Sequence, residues 1–361
     1  MTDVAAVPLV LVSREGALTH LTLNRPRAIN ALNIEMFSGL LDALEGASSS
    51  LIWLDGAGER GFCGGGDIKE ILQVDDSRDL FRLEYRLDHA IHVSSVPVVA
   101  IMDGIAMGGG IGLGGHAAHR IVTERSRLAM PESRIGLMPD VGGHLLLART
   151  PGRLGEYLAV TASEMTAGDA IALGFADHFV PSDRLDGLRE ALAAGEDAQS
   201  AIAAVSEPAP EAPLLKVRAW FDPNAESALG DAREVMGGPA AAALRLVTAL
   251  EASDVPEAQE TAKTMREMNP VSVAMTLAQL ARTRADQLDL AGVLEDDFRI
   301  LPRLASLPNF AEGVRAQVID KDRNPAWVPR TFEELDGADL EPLLAPLGDG
   351  ESGLGLTPQL G

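Results

Sequence analysis

Apolar runs and amphipathic stretches alternate along the first 195 residues of the chain. The runs typical of strands lie at residues 8–12, 17–23, 50–56 and 96–104, with two short segments within 119–132. The stretches typical of helices include one that ends near Gly46 and others that begin in or cover 56–72, 79–95, 108–119, 144–160 and 166–173. A turn is expected at Ser13–Gly16, between the first two strands. Strands that alternate with helices in this way predict an α/β layered core.

The pattern changes after residue 195, where stretches rich in Ala and Glu predict helices. The clearest helical windows are 257–268, 272–284 and 288–305, and a Pro-rich segment lies at 207–213. The residues after Pro329 are acidic and rich in Gly and Pro, which is typical of a loosely held tail. We therefore expect a core at 1–195, a helical C-terminal region at 196–330 that covers the active site, and a loosely ordered acidic tail at 331–361.

Charge and composition exclude several classes of partner. The chain has 361 residues, of which 46% are hydrophobic and 4% aromatic, and a net charge of −23 at pH 7. A field of that sign repels nucleic acids and anionic membranes, and few aromatic side chains are present to stack on bases. The most apolar window, 96–115, is interrupted by Asp103 and rich in glycine, so it suits a lipid-facing helix poorly.

The N-terminus and the cysteine content bear on the compartment. The first 16 residues lack the basic region of a signal peptide and carry Asp3 and Glu15. The single cysteine, Cys63, excludes an internal disulfide, and it is interpreted as a small buried residue. We therefore expect a cytoplasmic protein that binds neither nucleic acid nor membrane.

Two glycine-rich segments could bind an anion or a polarised carbonyl oxygen. CGGGD at 63–67 lies between a predicted strand and a helix, and its N–H groups could converge on one oxygen. The alternative, a tight strand-to-helix connection, is equally consistent with it. MGGGIGLGGH at 107–116 places free N–H donors at a helix N-terminus. It matches a dinucleotide fingerprint only loosely, because Asp103–Gly104 interrupts the strand before the first glycine, so a nicotinamide site is disfavoured.

A third segment, MPESRIGLMPDVGG at 130–143, carries two carboxylates that each follow a proline. Its turns could bring Glu132 and Asp140 to one pocket, although two solvent-exposed carboxylates are the common alternative. No G-x-S-x-G motif is present, which disfavours an ordinary serine hydrolase. The paired histidines at 89 and 92 and at 116 and 119 have no accompanying carboxylate cluster, so no metal is expected.

Taken together, these segments resemble the crotonase (enoyl-CoA hydratase/isomerase) superfamily. The resemblance lies in LNRPRAINAL at 23–32, GFCGGGDIKE at 61–70, VAIMDGIAMGGGIGL at 99–113 and AMPESRIGLMPDVGG at 129–143. Segments 261–280 and 309–329 are similar to the 3-hydroxyisobutyryl-CoA hydrolase branch, and the whole resemblance covers residues 8–330. It implies an α/β, ClpP/crotonase-like spiral of ββα units with a C-terminal helical region.

The resemblance also implies the site residues. The N–H groups of Gly66 and Gly109 would form an oxyanion hole, Glu132 would be the catalytic carboxylate, and Asp140 would act beside it. The residues expected to bind the substrate are Glu84, Gly109, Glu132 and Asp140. Those expected to bind coenzyme A are Arg27, Ala28, Gly66, Asp67 and Ile68. Coenzyme A is part of the substrate, and no other cofactor is implied.

Two departures from the hydratases of the family point to hydrolysis. Of the two glutamates that those hydratases use, Gly112 occupies the position of the first and Glu132 that of the second, and Asp140 replaces a glycine. The implied reaction is hydrolysis of a short β-hydroxyacyl-CoA thioester, with 3-hydroxyisobutyryl-CoA as the expected substrate in valine catabolism. Two alternatives stay open: an enoyl-CoA hydratase or isomerase on the same fold, and a catalytically silent CoA-binding protein. The small-molecule acyl-CoA is the expected partner, and assembly into a homo-oligomer is left open.

Overall fold

The computed structural model describes residues 7–74, 76–348 and 350–356. The strands β1–β8 are Val10–Glu15, Leu18–Leu23, Leu51–Gly56, Val98–Met102, Ile105–Met107, His119–Val122, Arg127–Ala129 and His178–Phe179. The helices α1–α9 are Ile34–Glu45, Ile68–Ile71, Arg78–Val93, Gly109–Gly115, Gly143–Ala148, Leu154–Thr161, Ala167–Ala172, Leu185–Ala193 and Ala198–Val205. The helices α10–α17 are Arg218–Leu229, Ala232–Gly237, Pro239–Glu251, Pro256–Glu267, Pro270–Ala285, Leu290–Ala305, Pro308–Val314 and Gly337–Leu344.

Six strands form the main sheet in the order β1-β2-β3-β4-β6-β8, and β5 pairs with β7 in a small second sheet. The β1–β2 pair is antiparallel and the other pairs are parallel. In the successive units β4–β5–α4 and β6–β7–α5, the first strand joins the main sheet and the second joins the small one. This repetition of ββα units confirms the predicted α/β arrangement.

The first hairpin is tighter than the sequence suggested. β1 continues to Glu15, and the turn consists of Gly16 and Ala17, with Gly16 at φ +60°. The polar residues at 13–15, which were interpreted as a turn, instead lie on an edge strand with one side open to solvent. Polar side chains on an exposed edge are normal for a strand, so their polarity is not evidence of a turn.

Most of the predicted helices are confirmed, and one is divided. The windows 257–268, 272–284 and 288–305 correspond closely to α13, α14 and α15. The stretch 144–160 forms two helices, α5 and α6, because Pro151 and Gly152 interrupt it and Gly152 adopts φ +62°. A proline removes a backbone donor and a left-handed residue redirects the chain, so one continuous helix cannot form there.

The apolar core extends across both of the regions expected from the sequence. One continuous cluster of buried side chains runs from Leu21 in β2 to Leu354 near the C-terminus, and α14 is buried along almost its whole length. A smaller cluster on the opposite face of the sheet packs Leu188 and Ile202 against Trp53. The helical C-terminal half therefore shares the core of the ββα units. Across the ranges described above, no helix has the length and apolar character needed to span a bilayer.

The acidic C-terminal segment packs on the protein in its described part, 331–348 and 350–356, contrary to the expectation of a loose tail. Leu340 and Leu343 of α17 are buried against α15 and α12. The guanidinium of Arg299 donates to the carbonyl of Leu344 at 2.6 Å. Phe332, Leu335 and Leu354 are buried as well, so several apolar side chains anchor a segment whose overall composition is acidic and rich in Gly and Pro. Residues 357–361 lie outside the described residues.

Candidate active site

The two glycine-rich loops meet, because the first loop pairs with strand β5. Cys63 N–H donates to the carbonyl of Ile105 at 3.0 Å, and Met107 N–H donates to the carbonyl of Cys63 at 3.0 Å. The chain then passes into α4, which begins at Gly109. A Cβ atom built on Gly109 would lie 3.4 Å from the backbone nitrogen of Gly66. The pairing of the two loops therefore brings these glycines side by side.

The backbone leaves both of these N–H groups available. The bridge between Leu32 and Gly66 uses the carbonyl of Gly65 and the N–H of Asp67, so the N–H of Gly66 is not part of it. Gly109 is the first residue of α4, where an N–H has no acceptor within the helix and adjoins the positive end of the helix dipole. Two neighbouring N–H donors of this kind can stabilise negative charge on one carbonyl oxygen.

A cavity of about 260 Å³ opens in front of these donors. Its lining consists of Gly64, Gly65, Gly66, Ile68, Ile71, Phe81, Glu84, Gly108, Gly109, Pro131, Glu132, Arg134, Ile135, Leu137, Asp140 and Gln317. Two carboxylates stand against the second glycine loop. A Cβ on Gly109 would lie 2.6 Å from Oε1 of Glu84, and a Cβ on Gly108 would lie 2.7 Å from Oε1 of Glu132. A side chain at either position would have to displace one of these acids, and Gly108 also adopts φ +50°, which favours glycine.

Glu132 enters the cavity from a single helical turn, Glu132–Arg134, which follows β7 and Pro131. Its side chain is buried, and within the described residues its Oε2 atom has no hydrogen-bond partner. Burial, and then the nearby Asp140 and Glu84, raise the pKa of Glu132 well above its usual range. A buried carboxyl without a partner is costly to a fold, and such groups are concentrated at functional sites.

Asp140 lies on the next turn, where the backbone is unusually constrained. Val141 adopts φ +51°, an uncommon conformation for a β-branched residue, and Gly142 follows at φ +73°. Gly143 N–H donates to the carbonyl of Asp140 at 2.6 Å. Burial, and then Asp297, raise the pKa of Asp140 to about 7. The turn thereby holds a second buried acid against the cavity.

Glu84 is the third acid of the cavity and comes from α3. It lies on the buried face of that helix, and burial, followed by Asp140 and Asp297, raises its pKa well above the usual range. The three acids Glu84, Glu132 and Asp140 thus interact through space in a site of low polarity, so they titrate as a group rather than singly.

Two buried groups behind Asp140 were not identified from the sequence. Nε2 of His144 is hydrogen-bonded to Oδ1 of Asp297 at 2.8 Å. Oδ2 of Asp297 accepts a hydrogen bond from the N–H of Gly142 at 3.1 Å. Asp297 lies on α15, about half the chain away in sequence, in an amphipathic stretch whose acids are expected on the solvent side. No sequence signal distinguished it from a solvated acid.

Asp88 explains why position 112 is a glycine. A Cβ on Gly112 would lie 2.7 Å from Oδ1 of Asp88 and 2.8 Å from the Cβ of Val141. Asp88 is fully buried, and neither of its oxygens has a hydrogen-bond partner in the described ranges. Burial, and then Glu84, raise its pKa, which favours the neutral acid. A larger side chain at 112 therefore has no room to enter the site.

We expect Gly112→Glu to destabilise the protein without adding hydratase activity. The new side chain would have to displace both Asp88 and Val141, and overpacking of this kind costs about 1–3 kcal/mol or more. Urea unfolding and a crotonyl-CoA hydration assay would measure the two effects. Gly187→Glu is the matched control, because a Cβ at Gly187 meets nothing within 4 Å. A stable variant with hydratase activity would contradict this account.

The residues expected to bind coenzyme A divide into two groups. Gly66 and Ile68 line the cavity, whereas Arg27 and Ala28 are exposed on the short turn Pro26–Ala28. Asp67 forms an ion pair with Arg25, at 2.9 Å, which ties that turn to the first glycine loop. The assignment of all five residues to CoA stays a prediction.

Cys63 is a buried residue, as its interpretation from the sequence expected. The thiol of Cys63 is fully buried, and burial raises its pKa to about 12. Among the described residues, no group of three or more His, Cys, Asp or Glu side chains is arranged to hold a metal ion.

The fold and this site define a class of protein, and comparison with known proteins agrees with it. The chain belongs to the enoyl-CoA hydratase/isomerase family, whose family model matches residues 18–344. The superfamily and the α/β crotonase fold inferred from the sequence are thus confirmed.

Within the family, the curated relatives include 3-hydroxyisobutyryl-CoA hydrolases. The mitochondrial enzyme of Gallus gallus is 34% identical over 97% of this chain and 91% of its own length. The mitochondrial enzyme of Rattus norvegicus is 35% identical over 94% of this chain and 89% of its own length. The resemblance to the hydrolase branch is confirmed over nearly the whole chain. The expectation of a cytoplasmic location stays a prediction. The names of these relatives place those proteins in mitochondria.

Two solved structures are similar over nearly the whole chain. A protein described as a carnitinyl-CoA dehydratase from Mycobacterium thermoresistibile is 37% identical, with a TM-score of 0.85 over 94% of this chain and 97% of its own. One described as an enoyl-CoA hydratase from Rhodobacter sphaeroides is 38% identical, with a TM-score of 0.83 over 94% of this chain and 98% of its own. The names of the relatives thus cover different reactions, and the site must decide between them.

Proposed function

We propose that this protein hydrolyses short β-hydroxyacyl-CoA thioesters, with 3-hydroxyisobutyryl-CoA converted to 3-hydroxyisobutyrate and CoA. The observation that supports this most directly is the buried carboxyl of Glu132, whose Oε2 has no hydrogen-bond partner in the described residues and which lines the same cavity as Gly66 and Gly109. A carboxylate opposite an oxyanion hole is suited to attack on an acyl carbon. The names of the curated relatives support this choice of substrate.

In the proposed reaction, the thioester oxygen accepts hydrogen bonds from Gly66 and Gly109. The ionised carboxylate of Glu132 attacks the carbonyl carbon, the C–S bond breaks, and CoA leaves as a thiolate that takes a proton from solvent. Water then hydrolyses the resulting mixed anhydride and regenerates Glu132. A second route has Glu132 remove a proton from water, which attacks the thioester directly. Both routes use the carboxylate of Glu132 and the N–H groups of Gly66 and Gly109.

Asp140 and Glu84 bind the β-hydroxyl of the acyl group in this proposal. Both carboxyls line the cavity and are buried, so an acyl group without a hydroxyl would leave buried carboxyl oxygens without that donor. Buried polar groups left without a partner give strong discrimination between substrates. The acids therefore provide selectivity for hydroxyacyl groups, whereas the glycines and Glu132 serve any thioester.

The structure weighs against the hydratase alternative. That reaction in this family uses another glutamate at the position of Gly112, and Asp88 and Val141 fill the space that such a side chain would need. The silent CoA-binding alternative would leave the unpartnered Glu132 without a reason to be buried. Participation in valine catabolism follows from the proposed substrate.

One assay compares the three functions directly. Release of free CoA from 3-hydroxyisobutyryl-CoA is measured beside hydration of the double bond of crotonyl-CoA. Hydrolysis of the first without hydration of the second is the expected result. Hydration alone would establish the hydratase alternative, and absence of both reactions with retained CoA binding would establish the silent one.

Asp140→Gly should lower kcat/KM for hydroxyacyl substrates more than for plain acyl ones. Loss of a hydrogen bond to a charged partner corresponds to about a 10- to 100-fold selective decrease. The measurement compares 3-hydroxyisobutyryl-CoA with isobutyryl-CoA, and Asp140→Asn serves as a variant of nearly unchanged shape. Equal losses on both substrates would show that Asp140 does not contact the hydroxyl.

The pH dependence of the reaction should follow the acids of the cavity. Glu132 acts in its ionised form, and its pKa is raised by burial and by Asp140 and Glu84. Activity is therefore lost as the pH falls through that raised pKa, so the acid limb of kcat/KM should lie well above pH 4.5, the ordinary value for a glutamate. A pH–rate profile on 3-hydroxyisobutyryl-CoA measures this, and an acid limb at 4.5 or below would contradict it.

A further inference from the structure

Tyr85 is hydrogen-bonded to the carboxyl of Asp140 but does not line the cavity. Its hydroxyl donates to Oδ2 of Asp140 at 2.6 Å, and the side chain is fully buried. No other side chain in the ranges 7–74, 76–348 and 350–356 hydrogen-bonds to that carboxyl. Asp140 itself lines the cavity, so Tyr85 fixes one oxygen of a carboxyl that a ligand in the cavity can reach.

The ring of Tyr85 is held firmly in place. It stacks on Phe81, one turn earlier in α3, with ring centroids 5.7 Å apart and an angle of 27° between the planes. Burial raises the pKa of the Tyr85 hydroxyl well above its usual range, so the hydroxyl keeps its proton and acts as a donor. Phe81 also lines the cavity, which joins the support of Tyr85 to the pocket wall.

The backbone of Asp140 is fixed by different groups. The carbonyl of Val141 accepts from Nε2 of His116 at 2.9 Å, and the N–H of Gly142 donates to Asp297 at 3.1 Å. These bonds hold the turn in its left-handed conformation but do not touch the carboxyl of Asp140. They fix the backbone of Asp140 but not the side-chain torsions that orient its carboxyl. The terminal torsion of an aspartate has a broad distribution of allowed angles.

We infer that Tyr85 is a positioning residue that orients the carboxyl of Asp140 toward the β-hydroxyl of the substrate and thereby sets the selectivity for hydroxyacyl-CoA. The inference rests on the proposed function and deepens it. Tyr85 does not touch the substrate and acts through Asp140 alone.

Tyr85 also bears on the charge of Asp140. Burial and then Asp297 raise the pKa of Asp140, whereas the hydrogen bond from Tyr85 lowers it. The other titratable groups that act on Asp140 or respond to its charge are Glu84 and Asp88 of α3, Glu132, His144 of α5, and Asp297 of α15. Removal of the Tyr85 hydroxyl should therefore raise the pKa of Asp140, because its ionised form loses a donor.

The test is Tyr85→Phe, which keeps the ring and its stacking on Phe81. Values of kcat and KM are measured across pH for 3-hydroxyisobutyryl-CoA and isobutyryl-CoA. We expect the preference for the hydroxyacyl substrate to fall about tenfold, as for loss of one hydrogen bond to a charged group. The pH below which this preference is lost should also move upward. Tyr157→Phe is the matched control, because Tyr157 is the second of two tyrosines in the chain and packs on Phe221 in the helical region.

A second measurement keeps a tyrosine at position 85 and changes only the strength of its hydroxyl as a donor. With Tyr157 replaced by phenylalanine, growth on 3-fluorotyrosine labels Tyr85 alone, since the chain has only two tyrosines. Fluorination makes the phenol a stronger donor, so the pH below which the preference is lost should move downward, opposite to the effect of Tyr85→Phe.

The outcomes separate this inference from the proposed function. If the wild-type protein hydrolyses neither thioester, the proposed function is overturned and the inference with it. If the wild type prefers the hydroxyacyl substrate and Tyr85→Phe keeps both the preference and its pH profile, only the inference is overturned. An equal loss on both substrates with an unchanged profile would show a merely structural role and would also overturn it.

Discussion

Glu132→Gln should abolish hydrolysis while leaving the fold intact. Glutamine keeps the size of the side chain but has no carboxylate to attack the thioester or to take a proton from water. Removal of the nucleophile or base of a serine protease, another hydrolase with an acyl-enzyme intermediate, costs about 10⁴- to 10⁶-fold in kcat, and a loss of that order is expected here. Single-turnover release of CoA from 3-hydroxyisobutyryl-CoA is the appropriate measurement, since it reports the chemical step alone.

Glu35→Gln is the matched control for this substitution. Glu35 is exposed in the first turn of α1, so the same chemical change there should leave the rate unaltered. Circular dichroism and thermal unfolding would show that the Glu132→Gln protein is folded. Since Glu132 is a buried acid whose Oε2 has no partner in the described residues, its replacement by a neutral residue should not reduce stability much. Hydrolysis near the wild-type rate would rule out Glu132 as the catalytic group.

Gly109→Ala should reduce kcat because the added methyl group crowds the oxyanion hole. The backbone N–H is kept, so the loss should be at most about the 10²- to 10³-fold cost of removing one donor. The new methyl group would lie 2.6 Å from Glu84 Oε1 and 3.4 Å from the nitrogen of Gly66. It would therefore intrude beside both donors and displace one acid of the cavity. Steady-state rates on hydroxyacyl and plain acyl thioesters should both fall, because both substrates need the oxyanion hole. Displacement of Glu84 should add a further loss on the hydroxyacyl substrate.

Gly39→Ala provides the comparison for this change. Gly39 lies within α1, and a Cβ there would meet Val10 at 3.7 Å, an ordinary contact. Alanine is a better helix former than glycine, so this control should keep full activity and gain a little stability. Should Gly109→Ala retain wild-type kcat, the thioester oxygen does not bind beside Gly109.

Much of the fold could be predicted from the sequence, because its signals are local. Continuous apolar runs identified β3 and β4, and helical spacing identified α13 to α15. The errors have local causes too. Polar residues of an edge strand imitated a turn at 13–16, and the leucines of α17 were hidden in an acidic segment. In each case the tertiary environment, rather than the composition, decided the outcome.

The site could be predicted only in part. Gly66, Gly109, Glu84, Glu132 and Asp140 were named from motifs, and the structure places all of them on one cavity. Their proposed roles stay predictions until the variants are measured. The groups that support them were not foreseen, because Tyr85, Asp88 and Asp297 are buried through packing between helices. A buried acid on an amphipathic helix has the same sequence pattern as a solvated one, so only the assembled fold separates them.

The burial of Cys63 has a practical consequence for assays of this enzyme. It is the single cysteine of the chain, it is fully buried, and burial raises its pKa to about 12. Thiol reagents react with accessible thiolates, so the folded protein contributes no signal of its own to a colorimetric reagent for sulfhydryl groups. Every equivalent of colour then corresponds to one CoA set free, even at the high enzyme concentrations that nearly inactive variants require.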